Sequence, residues 1–443
     1  MEPIKREHSN MQEPIFNIWK AICGDFSHYT DRDSHHSIVY LDRCVPNNNE
    51  SFDLYIDFRT LWDFRKYLQF FDSPDIYEEL SGASYIKLRN IRTKNRLIEG
   101  SYYSLDLALL HITGVNARQE NNQSDLLKAE YDFEIRESGA EYFDKMFTLA
   151  SYSTPYPTYL RGNYALPHQL SIKNDPPYSL RVNDVGQANS NEILSGEDPI
   201  IVYDFGAPLS CSTARVNVLR NNRLPIYKRT QPILVISHWD LDHYRCLVGM
   251  SLLDLQCFSG VFCPEHMKSI TSQKVFLNLY SALPGRVWSV IAPARRKSGQ
   301  YNIHRVASYN ADQFNLFVGD RQSNINFSGL LVGFVGYNEI AELTGDAHLS
   351  QANQLLFNMN PLLQTPMPNN VVVPHHGGVP SSGYIINFPH NYVPHKALIS
   401  VDAKDPINKA KYHHPDSQVI NMYTSAGFAV ERTDFQGDLI VNL

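Results

Sequence analysis

Pro232-Ile233-Leu234-Val235-Ile236-Ser237-His238-Trp239-Asp240-Leu241-Asp242-His243 is the stretch that decides the reading of this chain. Ile233 to Ile236 are continuously apolar, as expected of a buried strand. Four potential metal ligands, His238, Asp240, Asp242 and His243, follow on the turn that ends it. Imidazole and carboxylate at alternating positions of an extended turn can converge on a cation. Packing gives no reason to collect such groups where a strand leaves a core. The bland alternative is a polar loop with Asp242 as N-cap of a helix starting near Tyr244. It loses ground once the later histidines are counted.

Working outward, the strand-then-ligand arrangement recurs. Ile200 to Gly206 reads as a buried strand ending in Asp204 and Gly206. Leu330 to Val335 is another buried strand, and Glu342-Leu343-Thr344-Gly345-Asp346 comes soon after it. There Gly345 lets the backbone turn closely, and Asp346 can offer one oxygen to each of two cations. Asn370 to Pro374 leads into His375-His376-Gly377-Gly378. His375, which immediately follows the strand, is the first candidate here, with His376 kept open. Lys396 to Val401 precedes Tyr412-His413-His414-Pro415, where two further histidines stand together.

The form His-x-Asp-x-Asp-His preceded by Ser resembles the signature of the metallo-β-lactamase superfamily, with Asp240 where a second His usually stands. It looks like the variant of the ComEC-type competence proteins, in their C-terminal hydrolase domain and its soluble relatives. Asp184-Val185-Gly186-Gln187 is similar to the segment that opens that domain, and Thr433 to Ile440 to the one that closes it, so the resemblance spans about Ser179 to Leu443. It implies an α/β fold with a four-layer αββα sandwich at 180–443. It also implies His238, Asp240 and His375 (or His376) on one divalent cation and Asp242, His243 and His414 on the other, with Asp346 between them. Asp204 would support the metal loop by hydrogen bonding. The ions would be zinc or manganese, with magnesium admissible. Asp240 adds charge and a hard oxygen, shifting preference toward manganese or magnesium. Asp242, His243 and Asp346 would be the catalytic residues around a bridging hydroxide, with the cations roughly 3.5–4 Å apart.

The implied activity is phosphodiester hydrolysis, first as a nuclease on DNA or RNA, with defence against foreign nucleic acid as a context. The alternatives are hydrolysis of a small nucleotide, or of an ester, thioester or lactam. A rival of another class is a partner-binding or sensor protein whose N-terminal module recognises a protein partner while the metal domain is structural.

The remaining sequence sets bounds. The chain has 443 residues, 43% hydrophobic and 19% charged, with net charge −7, which fits a globular protein of two or three domains. A sequence pI near 6.2 does not advertise a nucleic-acid or membrane surface. Basic stretches at Arg215, Arg220, Arg223, Lys228 and Arg229, and at Arg295-Arg296-Lys297, could contact phosphates or be solvated loops. The 26 Tyr, 22 Phe and 4 Trp suit core filling, or base stacking in a groove. Six scattered cysteines without a Cys-x-x-Cys pair, and no secretory pattern at the start, predict a cytoplasmic protein. No apolar run approaches the roughly 18 residues of a membrane span.

Residues 1–170 read as an α+β module of unknown role, joined by a Pro-rich linker at 171–179 to the hydrolase domain at 180–443. Within the module, Ser51 to Phe58 reads as a strand and a helix begins around Thr60. Leu105 to Ile112 is ambiguous, Leu126 to Phe147 reads as an acidic amphipathic helix, and Gln119 to Ser124 as a loop. His35 and His36 read as a solvated loop. In the larger part, Leu180 to Ser190 reads as strand, Gly turn and return strand, and Tyr244 to Leu255 as a helix. His266 is a weaker extra candidate, more simply an ordinary histidine.

Overall fold

A computed structural model describes residues 35–47, 51–70, 85–116, 130–135, 147–150, 176–265, 267–294, 301–309, 313–322, 324–359, 367–378 and 395–443. Over these it is a mixed α/β structure with three seven-stranded sheets. The first comprises β1 (His36–Pro46), β2 (Phe52–Phe58), β3 (Tyr85–Ile91), β4 (Tyr102–Asp106), β5 (Gly114–Asn116), β6 (Glu130–Ile135) and β7 (Phe147–Ala150), in the order β5-β6-β3-β2-β1-β4-β7. Leu54, Ile56 and Phe58 alternate along β2 toward one face and pack with Phe64 and Tyr67 of helix α1 (Leu61–Phe70).

At the ambiguous stretch from Leu105 the chain does both. β4 ends at Asp106, whose Oδ1 accepts from the backbone N–H of Ala108 (2.9 Å) and Leu109 (3.1 Å), and helix α2 (Leu107–Thr113) begins. The helix expected over Leu126 to Phe147 is corrected where the chain is described. Glu130 to Ile135 is β6, parallel to β3. Its acidic and apolar residues alternate with period two, which favours a strand over the helical reading. The Gln119–Ser124 loop, Arg295 to Lys297, His266 and most of the linker lie outside the described residues.

The second sheet contains β8 (Tyr178–Val182), β9 (Asn191–Ser195), β10 (Asp198–Tyr203), β11 (Ile233–Val235), β12 (Gly260–Pro264) and β13 (Val287–Val290). The third contains β14 (Ile303–Tyr309), β15 (Phe314–Gly319), β16 (Leu330–Val335), β17 (Ile340–Leu343), β18 (Asn369–Val372), β19 (His395–Ile399) and β20 (Phe428–Arg432), in sequence order. The last strand, β21 (Leu439–Asn442), returns to the second sheet, whose order is β13-β12-β11-β10-β9-β8-β21. Ile201, Val235 and Phe262 of the second sheet share one buried cluster with Leu316, Val332, Leu343 and Leu398 of the third, so the two sheets face each other across it. Each such side chain contributes about 1.5–3 kcal/mol by leaving water. Helices α3 (Thr213–Thr230) and α4 (Ile270–Ala282) pack on the second sheet through Leu224, Tyr227, Val275 and Leu279. Helices α5 (Leu349–Met359) and α6 (Ser417–Ser425) bury Leu355, Met359, Val419 and Tyr423 against the third.

Two local expectations change. After the Gly186 turn (φ 87°) the return strand starts only at Asn191. Tyr244 to Leu255 is not one helix but a chain of turns, Leu241–Tyr244, Arg245–Leu247 and Leu252–Leu255. Gly249 (φ 74°) interrupts it, and Ser251 Oγ starts the last turn by accepting from Asp254 N at 3.0 Å.

The first sheet is anchored to the second at the start of α4. Ile270 belongs to the first sheet's core, Asp57 Oδ2 accepts from Thr271 N at 3.2 Å, and Tyr102 Oη donates to Lys268 O at 2.9 Å. This docking brings β1 beside the turn that follows β11. Among the described residues no helix is long and apolar enough to cross a membrane.

Candidate metal centre

The candidate ligands and the supporting Asp204 leave the C-terminal ends of neighbouring parallel strands, β10 beside β11 in the second sheet and β17, β18 and β19 in the third. Carboxyl ends of parallel strands are where side chains of separate segments converge on a ligand. Two glycines allow close approach. A Cβ on Gly206 would come within 1.8 Å of Asp242 O, and one on Gly345 (φ 54°) within 2.8 Å of Ser237 Cβ. His375 and His376 both take left-handed backbone (φ 53° and 54°), a conformation costly for residues other than glycine and typical of sites held by their surroundings.

Five of the eight candidates come together in two overlapping groups, His238, His243 and Asp346, and Asp242, His243 and His376. Within each, one ligand atom per residue lies within 4.8 Å of the others. His243 Nε2 is 3.3 Å from Asp346 Oδ1, and His376 Nε2 is 3.9 Å from Asp242 Oδ2. All five residues are buried. Among the described residues, Nε2 of His238, His243 and His376, Oδ1 of Asp242 and Oδ1 of Asp346 have no hydrogen-bond partner. Leaving one buried polar atom unmet costs about 1–3 kcal/mol, so five at one point call for a ligand. Imidazole nitrogens and carboxylate oxygens are the donors that divalent cations take, and these residues fit one.

The opposite edge of each imidazole is occupied. His243 Nδ1 meets Asp204 Oδ2 at 2.8 Å, His238 Nδ1 meets Ser237 Oγ at 3.0 Å, and His376 Nδ1 meets Ser400 O at 2.8 Å. Ser237 Oγ in turn donates to Asp204 Oδ2 at 2.8 Å, and Asp204 Oδ1 accepts from Ser237 N at 2.7 Å. Acceptors at Nδ1 put the proton there and leave Nε2 bare for a cation. Burial opposes the charged form of His243, but Asp346 and Asp204 hold its pKa well above the histidine norm. Burial likewise opposes ionised Asp242, yet His376, His243 and Arg43 hold it at about 2.

Asp240, His375 and His414 fall outside both groups. Asp240 Oδ2 lies 3.5 Å from His238 Nε2 but accepts a hydrogen bond from Arg43 Nη2 at 3.3 Å. Of the two adjacent histidines, His376 joins a group and His375 does not. His375 directs Nδ1 to Asp346 Oδ2 (2.7 Å) and its side chain remains 42% exposed. His414 takes Gln187 Nε2 at its Nδ1 (3.1 Å), and its Nε2 is 2.5 Å from where a Cβ on Gly378 would stand. Burial, with His375 nearby, pushes its pKa down to about 3.

A cleft of about 490 Å³ adjoins these groups, lined in part by Asp242, Asp346, His375, His376 and His414. Tyr40, Arg43 and Gly100 of the first sheet and its loops line it too. Arg43 was not foreseen, since nothing in β1 marks it. Gln187, Ser237, Ser400 and Tyr412 stood inside quoted motifs without a role.

The basic stretch of α3 is largely committed to structure. Arg220 donates to Cys246 O (2.8 Å) and to Val248 O, Lys228 pairs with Asp254 (2.7 Å) and Arg229 with Asp198 (2.9 Å). Arg223 pairs with Glu192, a buried carboxylate that also meets Arg181 and Tyr227. Arg223→Ala is therefore expected to lower stability by about 2–3 kcal/mol, less than the loss of a sole partner because Arg181 and Tyr227 remain. Denaturant unfolding measures this, and fluorescence anisotropy with a labelled oligonucleotide should show unchanged affinity. Weakened oligonucleotide binding at full stability would restore the phosphate-contact reading.

The described aromatics mostly fill cores, with Tyr203, Tyr227, Phe258, Phe262, Phe314 and Phe334 fully buried. The five described cysteines, Cys44, Cys211, Cys246, Cys257 and Cys263, are free thiols. No protein-family model matches the chain, and no curated protein does.

Proposed function

We propose that the chain is a metal-dependent phosphodiester hydrolase, acting as a nuclease on DNA or RNA, with a metallo-β-lactamase-like αββα sandwich over 180–443. The observation that carries this reading is the set of five buried, unmet nitrogen and oxygen atoms beside a cleft of about 490 Å³. A purely structural cation site is closed by protein ligands, and bordering a cleft gives it no advantage. His238, His243 and Asp346 would hold one divalent cation, and Asp242 and His376, beside His243, a second. Three imidazoles and two carboxylates suit zinc as well as manganese. Asp240, paired to Arg43, is not counted among these ligands. The cations supply Lewis acidity toward a phosphoryl group.

The chain's own residues do the remainder. Asp242 Oδ1, buried and unmet, is suited to orient an attacking water. His375, gripped at Nδ1 by Asp346 and exposed at the cleft, is suited to hold at Nε2 the proton that the leaving oxygen takes up. Arg43 and Lys268 in the cleft lining favour an anionic substrate over a lactam or neutral ester. The wall contributed by the first sheet favours a second reading, a short nucleotide rather than a long duplex.

The test is incubation with zinc or manganese and labelled single- and double-stranded DNA, RNA and cyclic dinucleotides. Cleavage that chelation and Asp242→Ala both abolish is expected. Cyclic dinucleotides cut while polymers stay intact would select the second reading. A protein that binds the cation and cuts none of these would refute phosphodiester hydrolysis.

A further inference from the structure

Resting on that reading, we infer that the first sheet completes the substrate site. Arg43, with the Tyr412 hydroxyl, forms an anion subsite for a non-reacting phosphoryl oxygen, and Asp240 is the positioning residue that holds Arg43 there. Arg43 projects from β1, distant in sequence from the ligand turn, and its side chain is only 14% exposed. Its Nη1 donates to Asp42 O at 3.2 Å and its Nη2 to Asp240 Oδ2 at 3.3 Å, while Nη2 lies 3.6 Å from Asp242 Oδ1. A guanidinium carries five N–H donors in a planar fork, so these partners leave donors over, on a group that lines the cleft. The second observation is independent. Tyr412 lines the same cleft, and its hydroxyl is buried without a hydrogen-bond partner among the described residues. A buried hydroxyl with no partner is costly, and one that lines a cleft can be met by a ligand there. Lys268, also in the lining, adds a second positive charge.

The arrangement explains why a carboxylate stands at position 240. Asp240 is buried and belongs to neither ligand group, yet it pairs with Arg43 of the cleft lining. Once the charge of Asp242 is taken up by a cation, Asp240 remains as the arginine's counter-ion. Both ends of the guanidinium are then fixed and its free edge faces the substrate. Charge-assisted bonds from a planar fork suit two oxygens of one phosphoryl group.

Three measurements decide it. Calorimetric titration of metal-free protein with zinc should give affinities within about threefold of wild type for Arg43→Ala, Tyr412→Phe and Asp240→Asn. Inorganic phosphate binding to the zinc-loaded protein should weaken about 10–100-fold in Arg43→Ala, less in Arg43→Lys, and about threefold to tenfold in Tyr412→Phe. With whichever phosphodiester is cut, KM should rise in Arg43→Lys more than kcat falls. Loss of zinc affinity in Asp240→Asn would make Asp240 a ligand and overturn the assignment, as would unchanged phosphate binding in Arg43→Ala. If Arg43→Ala fails to fold, Arg43→Lys and Tyr412→Phe carry the test, and unchanged phosphate binding in both overturns it. Arginine-dependent phosphate binding in a protein that cuts no phosphodiester would instead refute the proposed activity while leaving the subsite standing.

Discussion

His376→Ala is expected to abolish cation-dependent turnover and to weaken divalent-cation binding by at least about a hundredfold, the upper end of what losing even a supporting partner costs. His375→Ala should leave cation affinity within about threefold and lower turnover by about 10²–10⁴-fold, the contribution of a proton donor. The contrast between adjacent histidines follows from the turn that carries them. Two successive left-handed residues send one imidazole inward and leave the other at the cleft. His376 is buried, with Nδ1 on Ser400 O and Nε2 unmet beside Asp242. His375 keeps Nδ1 on Asp346 and the rest of its ring at the surface. Calorimetry with zinc on both variants, alongside turnover on any substrate that wild type accepts, separates the roles. Equal loss of cation affinity in the two would mean that both are ligands and that no proton donor has been identified.

What sequence could reveal, and what it could not, divides along a physical line. Ligands joined directly to an apolar strand were legible, because Ile233 to Val235 and Leu330 to Val335 have one stable home, a sheet covered on both faces. The ends of β10, β11 and β17 carry Asp204, the 238–243 turn and Asp346 to one edge. Orientation inside a turn was not legible. Which of His375 and His376 enters depends on backbone dihedrals that no pattern of residue types specifies. His414 follows the same rule, since its ring is set by the Gln187 contact and the close passage of Gly378. Arg43 was beyond reach for another reason. It belongs to a different sheet, and its position over the ligands depends on the docking of that sheet at Thr271 and Lys268, a contact between surfaces with no sequence signature. The helix expected at Tyr244 to Leu255 failed because the spacing of its apolar residues suits a helix while Gly249 at positive φ does not.

Asp204→Asn is the substitution expected to cost most for the least change in shape. Asp204 is fully buried and accepts at both oxygens, from Ser237 N on one side and from Ser237 Oγ and His243 Nδ1 on the other. An asparagine can keep the bond to Ser237 N through its carbonyl, which turns its amide nitrogen, a donor only, toward His243 and Ser237 Oγ. Facing a donor, His243 relieves the clash by moving its proton from Nδ1 to Nε2, and that hydrogen then occupies the direction a cation would take. Ser237 Oγ loses its acceptor as well, so the support it lends His238 Nδ1 at 3.0 Å is no longer directed. One carboxylate thus sets the tautomer of two candidate ligands. Cation affinity should fall about 10–100-fold, with stability in the absence of cation lowered by about 1–3 kcal/mol for the mismatched buried donors. Ser237→Ala removes the Oγ contacts to His238, His243 and Asp204 but leaves the Asp204 carboxylate on His243 Nδ1, and should cost less than Asp204→Asn on both scales. Calorimetric zinc titration with thermal unfolding of the metal-free variants orders them. The reverse order would show that Ser237, rather than Asp204, governs the histidines.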